Sequence, residues 1–455
     1  MNFEAQIEKY TEILISHKLK ILIPTLLLIL FATIGAKFLE QPSGYRGFVE
    51  NGQPNYEEIL NLEEKYGMID TLSYVIKPNS GDIFKKDVLQ LIYELTEVSW
   101  KTPYSSRVSS LTNHQYTTVD GDDINIDDFI SDVENLTDND LKNLRELALA
   151  ENTIVNFILS KSARVAFVNI SLDMPDGIGF DDPINFAEEQ KKIFNEKYPE
   201  VFVTVAGSSR YSHNFQTTAR SDATTMYPGF LILIIILSYV LLRSLSASLI
   251  SLIIIFLSIL PSMGMAGWLG FEAQPPLIIA PILILTIALA HAVHILSIAL
   301  TNLNEGKSKK EAITESLKIN MTPVFLTSLT TAVGVAGVNF GKIPAFSEMA
   351  NTVVIGSAIS FALSVIVLPI LFIIMPIKSH GKASIVLDGL KILGDIIYKF
   401  KFYFISMIGL ASILLINLIP NLYFDDDFDS YFDRVDEWVE VKNIVNDEFG
   451  SSFFI

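Results

Sequence analysis

Cysteine is absent from this chain of 455 residues. Its absence excludes disulfide bonds and metal sites built on thiolate ligands, and it leaves the redox compartment undetermined. Basic residues are also in short supply, since 33 Lys and Arg stand against 51 Asp and Glu and give a formal net charge of −18. Because nucleic-acid binding relies on basic surfaces, this balance argues against a nucleic-acid partner.

Charge is nearly missing from several long apolar runs, although hydrophobic residues make up 50% of the chain. Most of the acidic residues lie instead in one block, roughly residues 50–222. As helices that rise about 1.5 Å per residue, such runs are long enough to cross a hydrocarbon core of about 30 Å. The composition therefore predicts a membrane protein that carries a large acidic aqueous domain.

The order of these runs predicts a polytopic α-helical membrane protein with seven spans. The first run is too long for a signal peptide and is followed by no small-residue cleavage site, so we expect it to be retained. Strand and helix patterns after it predict a large extracytoplasmic α+β domain of two βαβ-like (ferredoxin-like) units with two small sheets. The predicted segments are a cytoplasmic amphipathic segment (1–18), the first span (19–40), the α+β domain (41–225), five spans (226–376), a cytoplasmic linker helix (377–401), the seventh span (402–420) and the start of a second extracytoplasmic domain (421–455).

Lysine and arginine in the short connections set the predicted orientation. They are concentrated on the side that holds the N-terminus, and the short loops of the opposite side hold little beyond Lys37 and Lys342. Because cytoplasmic loops carry the excess of basic residues, this side is predicted to be cytoplasmic and the acidic domain extracytoplasmic.

A late stretch of the chain repeats the plan of its beginning. Lys18 and Lys20 before the first span correspond to Lys399 and Lys401 before the seventh, at an offset of about 380 residues. Likewise Tyr66-Gly67 corresponds to Phe449-Gly450. We expect a duplicated protein of which the chain holds one half and the opening of the other, so that the missing C-terminal half would be a partner.

Polar side chains interrupt two of the apolar runs. One run carries His291 and His294, and the next carries a hydroxyl cluster and three glycines, which are Thr327, Ser328, Thr330, Thr331, Gly334, Gly337 and Gly341. Ionisable groups at membrane depth are rare and mark functional sites. The glycines are expected to let this helix approach Ala288 and Ala292 closely, or to act as a hinge.

Three interpretations of the polar cluster remain open. The two histidines, at i and i+3, could share one helix face and pass a proton to Thr327 or Thr331. They could instead be neutral packing residues, with the threonines bonded back to their own helix. Lastly, His-x-x-His could be a pair of metal ligands, although no further histidine lies in the apolar runs.

The stretch PVFLTSLTTAVGVAGVNFGKIPAFSEMANTVVIGSAISFALSVIVLPIL resembles the resistance-nodulation-division (RND) superfamily, in its MMPL/Patched-like exporter branch. The segment IALAHAVHIL is similar to the family's fourth-span motif, in which an aspartate relays protons. In this chain His291 occupies the position of that aspartate, and His294 matches the histidine that ends the motif. The resemblance implies an ion-coupled transporter in which histidine replaces the usual carboxylate.

The expected function is therefore a secondary transporter, not an enzyme, that exports a lipid or other hydrophobic molecule from the cytoplasmic (inner) membrane. A lipid sensor or scaffold of the sterol-sensing kind is the alternative, and a membrane metal enzyme is a remote one. No cofactor is implied. The expected partners are membrane lipid or a hydrophobic small molecule, together with further copies of the chain or accessory proteins.

Overall fold

A computed structural model describes residues 3–39, 47–49, 57–58, 61, 70–120, 123–175, 178–377, 385–422 and 436–450. The chain forms two compact units, the first from residues 1–40 and 222–427 and the second from residues 41–221 and 428–455. Both ends of the predicted repeat, at Tyr66-Gly67 and beyond Gly450, reach into residues outside the described ranges.

The second unit is built on one four-stranded antiparallel sheet. Its strands are β1 (Asp70–Pro78), β2 (Ser105–Ser109), β5 (Ala166–Leu172) and β6 (Val201–Ala206), and they lie in the order β2-β5-β1-β6. Helix α3 (Lys86–Ser99) joins β1 to β2 and helix α5 (Asp181–Lys197) joins β5 to β6. Each helical connection skips one strand, which is the split βαβ arrangement.

The prediction of two small sheets is therefore wrong, because the two βαβ units interleave. β1 pairs with β5 on one side and with β6 on the other, so each unit supplies a strand to the middle of a common sheet. Successive side chains of β1 point to opposite faces of the sheet, so apolar residues on both faces have to be buried. Leu72, Tyr74 and Ile76 face the main core under the helices, whereas Val75 faces the opposite side.

Two further elements of this unit lie outside the sheet. Strands β3 (Gln115–Asp120) and β4 (Asp123–Asp128) form a separate two-stranded hairpin. Helix α4 (Asp138–Ala150) follows and begins with a capping box, in which Thr137 and Asp140 satisfy each other's backbone N–H groups.

The second face of the sheet is covered by helix α13 (Asp436–Phe449). Val441, Ile444 and Val445 of α13 pack against the sheet, and the ring of Phe449 stacks on that of Phe167 with centroids 4.5 Å apart. The sequence predicts that this segment starts a second domain. In the structure α13 belongs to the same compact unit as the sheet and forms a second hydrophobic cluster on the face opposite the main core.

The first unit is an all-helical bundle. Its helices are α1 (Phe3–Ser16), α2 (Lys18–Ile34), α6 (Ser208–Leu242), α7 (Leu245–Trp268), α8 (Pro275–Asn304), α9 (Lys309–Ala336), α10 (Pro344–Ile374), α11 (Ile385–Lys399) and α12 (Lys401–Ile416), where α6 begins within the second unit. Within the described residues, seven helices are long and apolar enough to cross a membrane, which agrees with the seven predicted spans. They are Lys18–Phe38, Ser208–Leu242, Leu245–Trp268, Pro275–Asn304, Lys309–Gly341, Pro344–Ile374 and Lys401–Asn421.

Glycine brings two of these helices into backbone contact. A Cβ added at Gly264 of α7 would lie 1.9 Å from the carbonyl oxygen of Ala32, and one at Gly267 would lie 2.0 Å from that of Gly35. Small residues permit such close approach between membrane helices. Trp268, at the end of α7, stacks on Phe31 and donates a hydrogen bond of 3.2 Å to its carbonyl oxygen.

Candidate ion-coupling site at His291

His291 lies on α8 and is fully buried, with 0% of its surface exposed. Its two ring nitrogens contact hydroxyl groups from two different helices. Nδ1 lies 3.0 Å from Oγ of Ser360 on α10, and Nε2 lies 3.1 Å from Oγ of Ser328 on α9. The imidazole of α8 therefore bridges three helices through hydrogen bonds.

Small residues make room for this arrangement. Ala288 and Ala292 are both fully buried, one turn before His291 and next to it. On α10, Thr352, Gly356, Ser360 and Ser364 recur every fourth residue and form one buried stripe. The side chain of Ile284 on α8 packs directly against Gly356, where an added Cβ would lie 2.5 Å from Ile284. The absence of a side chain at Gly356 therefore lets α8 approach α10.

A second layer of hydrogen bonds holds Ser328 in place. The hydroxyl of Ser328 donates to the carbonyl oxygen of Val324 on its own helix, over 3.0 Å. The carbonyl oxygen of Ser328 accepts a hydrogen bond of 3.2 Å from the hydroxyl of Ser357. Helices α9 and α10 are thus connected to each other as well as to the histidine.

These bonds assign roles to the two ring nitrogens. A serine hydroxyl has one proton, and that of Ser328 is donated to Val324, so its oxygen accepts from Nε2–H. Nδ1 of a neutral ring is then an acceptor, and the hydroxyl of Ser360 donates to it. The only ring position that can take up a further proton is therefore Nδ1, on the side of Ser360.

Of the predicted relay residues, the structure brings only His291 and Ser328 together. His294 is exposed, so the two histidines do not share a buried face. Thr327 and Thr330 are exposed too, and their hydroxyls donate to the carbonyl oxygens of Pro323 and Leu326. Thr331 is half-buried.

Helix geometry explains why the ring of His291 contacts Ser328 and not Thr327, whose hydroxyl bonds back to its own helix. Neighbouring residues of a helix point about 100° apart, so one residue along α9 decides whether a hydroxyl faces α8 or the outside. Ser360, which completes the site, was not among the predicted residues. The four-residue repeat of small and hydroxyl side chains on α10 is the signal that identifies it.

The glycines at the end of α9 and in the 3-10 turn after it do not pack as predicted. A Cβ added at Gly334, Gly337 or Gly341 would meet no atom of the described residues within 4 Å. All three lie where α9 and the 3-10 turn after it are open, not against Ala288 and Ala292. Close packing is found instead at Gly264, Gly267 and Gly356.

A metal site is not assembled by the described part of the chain, where no group of three or more His, Cys, Asp and Glu side chains comes together.

A bundle of apolar helices around a buried histidine, with a separate α/β unit, defines a polytopic membrane protein. Comparison with family models matches residues 115–380 to the MMPL family, which is more than half of the chain. The protein therefore belongs to the MMPL family, as its resemblance to the RND superfamily predicted. A search of curated proteins finds none that matches this chain.

Proposed function

We propose that this protein is an RND-type secondary transporter that moves a lipid or other hydrophobic molecule out of the cytoplasmic membrane, coupled to protons through His291. Membership of the MMPL family and the seven apolar helices support the transporter class. The observation that carries the coupling is the fully buried imidazole bonded to Ser328 and Ser360.

Protonation of such a ring changes the hydrogen bonding on one side only. When Nδ1 gains a proton it becomes a donor, so the hydroxyl of Ser360 must turn away and accept. A serine in a helix can give its freed proton to the carbonyl oxygen one turn earlier, which here is that of Gly356. Proton binding on α8 thereby changes the contact with α10 while the contact with α9 is kept. Such a local change can shift the equilibrium between two helix arrangements.

The test is transport in proteoliposomes with a fluorescent (NBD-labelled) phosphatidylethanolamine as the probe. An imposed pH gradient should drive probe movement, and an ionophore that collapses the gradient should stop it. His291→Gln, which keeps hydrogen bonding but cannot titrate, should remove the gradient-driven part. His294→Gln changes an exposed histidine three residues away and should retain it.

Undiminished gradient-driven movement in His291→Gln would show that the coupling group lies elsewhere. If the wild-type protein binds the probe but its movement ignores the gradient, the sterol-sensing-like alternative is favoured instead.

The proposal includes the predicted orientation, with the N-terminus cytoplasmic and the α/β unit outside, in the periplasm or extracellular space. Because the chain has no cysteine, one cysteine placed at the exposed Glu189 reports the side of the α/β unit directly. It should react with a membrane-impermeant maleimide added to intact cells. Protection until lysis would reverse the orientation.

A further inference from the structure

Helix α10 contains a proline that leaves one buried carbonyl group without its usual partner. Pro369 lies inside the helix and has no backbone N–H, so the carbonyl oxygen of Val365, four residues earlier, loses its intrahelical donor. Val365 is buried, with 6% of its surface exposed. An unpaired carbonyl group at such a position is costly and is normally satisfied by another donor.

The replacement donor comes from the N-terminal helix. The hydroxyl of Tyr10 on α1 donates a hydrogen bond of 2.9 Å to the carbonyl oxygen of Val365. Burial raises the pKa of Tyr10 to about 12, so the hydroxyl keeps its proton at any physiological pH. Tyr10 thus supplies from another helix the donor that Pro369 lacks.

Helix α1 is held against both helices that contribute the serines of the site. Ile7 of α1 belongs to the buried cluster of the bundle, together with Leu317 of α9 and Leu368 of α10. Glu8 forms an ion pair of 2.5 Å with Lys318, and Glu12 one of 3.3 Å with Lys310, both on α9. The apolar side of α1 packs into the bundle while its carboxylates bind the first turns of α9.

We propose that α1 is a strap that fixes the bend of α10 at Pro369 through Tyr10, and that Tyr10 is thereby a positioning residue for Ser360. Val365 lies five residues beyond Ser360, about 7.5 Å along the helix axis. A change of the bend at Pro369 moves the part of α10 that carries Ser360 relative to Nδ1 of His291. Proline breaks allow membrane helices to bend where neighbouring groups satisfy the freed backbone. This inference rests on the proposed function of His291.

A double-mutant cycle isolates the hydrogen bond. Tyr10→Phe removes the donor and keeps the ring, whereas Pro369→Ala restores a backbone N–H for the carbonyl group of Val365. Tyr10→Phe alone should slow gradient-driven probe movement about tenfold, since a lost bond to a buried carbonyl group amounts to about one factor of ten. In the Pro369→Ala background, Tyr10→Phe should change nothing further. Tyr403→Phe, at an exposed tyrosine of α12, is the control.

Hydrogen exchange of residues 360–375 provides a readout that does not depend on transport. Tyr10→Phe should speed exchange in this segment about tenfold in the wild-type background and leave it unchanged when residue 369 is alanine. Equal effects of Tyr10→Phe in both backgrounds, or no effect in either, would contradict the proposal that Tyr10 fixes the bend of α10.

The two proposals fail in different ways. If the wild-type protein shows no gradient-driven movement, the proposed function falls, while the exchange cycle still decides whether Tyr10 controls α10. If Tyr10→Phe does not fold, Glu8→Gln combined with Lys318→Gln loosens α1 and leaves the ring in place. That variant should also speed exchange of residues 360–375, and unchanged exchange would contradict the strap.

Discussion

At the scale of single residues, the site depends on which hydroxyl faces which ring nitrogen. Ser328 uses its proton within its own helix and accepts from the histidine, whereas Ser360 donates to it. A buried group of this kind is sensitive to the loss of one partner, because the remaining partner is left without a hydrogen bond in a site that excludes water.

Replacing Ser360 with alanine should therefore impair coupling. Ser360→Ala leaves Nδ1 of His291 without its donor, and we expect gradient-driven movement to fall by about tenfold. Flux in proteoliposomes measures this loss. Ser364→Ala is the matched control, since the hydroxyl of Ser364 is buried one turn further along α10 and finds no hydrogen-bond partner in the described ranges. Equal loss in both variants would assign the effect to packing of α10 instead.

The sequence predicts His291 and Ser328 as site residues but does not predict Ser360. Hydropathy identifies runs that span a membrane and exposes the polar residues inside them, because a polar group in an apolar run is conspicuous whatever its direction. It does not give the rotation of one helix about its axis relative to the next. That rotation separates Ser328 from Thr327, and His291 from His294, and it is fixed by packing between helices that are distant in sequence.

At the scale of elements, the contact between α2 and α7 depends on the absence of side chains. In Gly264→Val, the Cβ would lie 1.9 Å from the carbonyl oxygen of Ala32, so the valine side chain clashes with the backbone of α2. We expect a loss of about 1–3 kcal/mol in the free energy of unfolding, as for other overpacked interiors. Thermal unfolding in detergent measures it.

Gly334→Val provides the comparison, because a Cβ at that position has open space among the described residues. The valine should leave the unfolding temperature nearly unchanged. If the two valine variants are equally stable, the close approach of α2 and α7 is not what holds these helices together.

The attachment of α13 to the sheet should depend on pH through Glu437. Burial alone would raise the pKa of this carboxyl group, but hydrogen bonds from Lys191 at 2.5 Å and Thr204 at 3.1 Å outweigh burial and leave the pKa below its ordinary value. A carboxyl group with a lowered pKa stabilises the folded state fully above its unfolded pKa of about 4.3, and the contribution is lost as pH falls through the folded value.

Protection of residues 436–449 against hydrogen exchange, measured relative to the intrinsic exchange rate at each pH, should therefore be high at neutral pH and fall below about pH 4. Glu437→Gln should exchange faster at neutral pH and lose most of this pH dependence, whereas Glu440→Gln, at an exposed position of the same helix, should behave like the wild-type protein. Identical pH profiles for the wild-type protein and Glu437→Gln would mean that the ion pair does not hold α13.

At the scale of the whole molecule, the general architecture can be predicted from composition. The pairing of strands and the packing of distant helices cannot. Seven apolar helices and an α/β unit are evident from where charge is missing and where it is concentrated. The single sheet is not evident, since β1 pairs with one strand about 100 residues later and with another about 130 residues later, and local periodicity carries no information on such pairing. The same holds for α13, which covers a sheet assembled from the other end of the chain.

The central claim is that His291 carries the proton that drives transport, and proton uptake tests it most directly. A pH-sensitive dye inside proteoliposomes should report proton entry that accompanies movement of the labelled phospholipid in the wild-type protein and in His294→Gln. In His291→Gln, proton entry should fall to the level of protein-free vesicles while the protein unfolds at an unchanged temperature. Proton entry in His291→Gln at the wild-type rate would contradict the account.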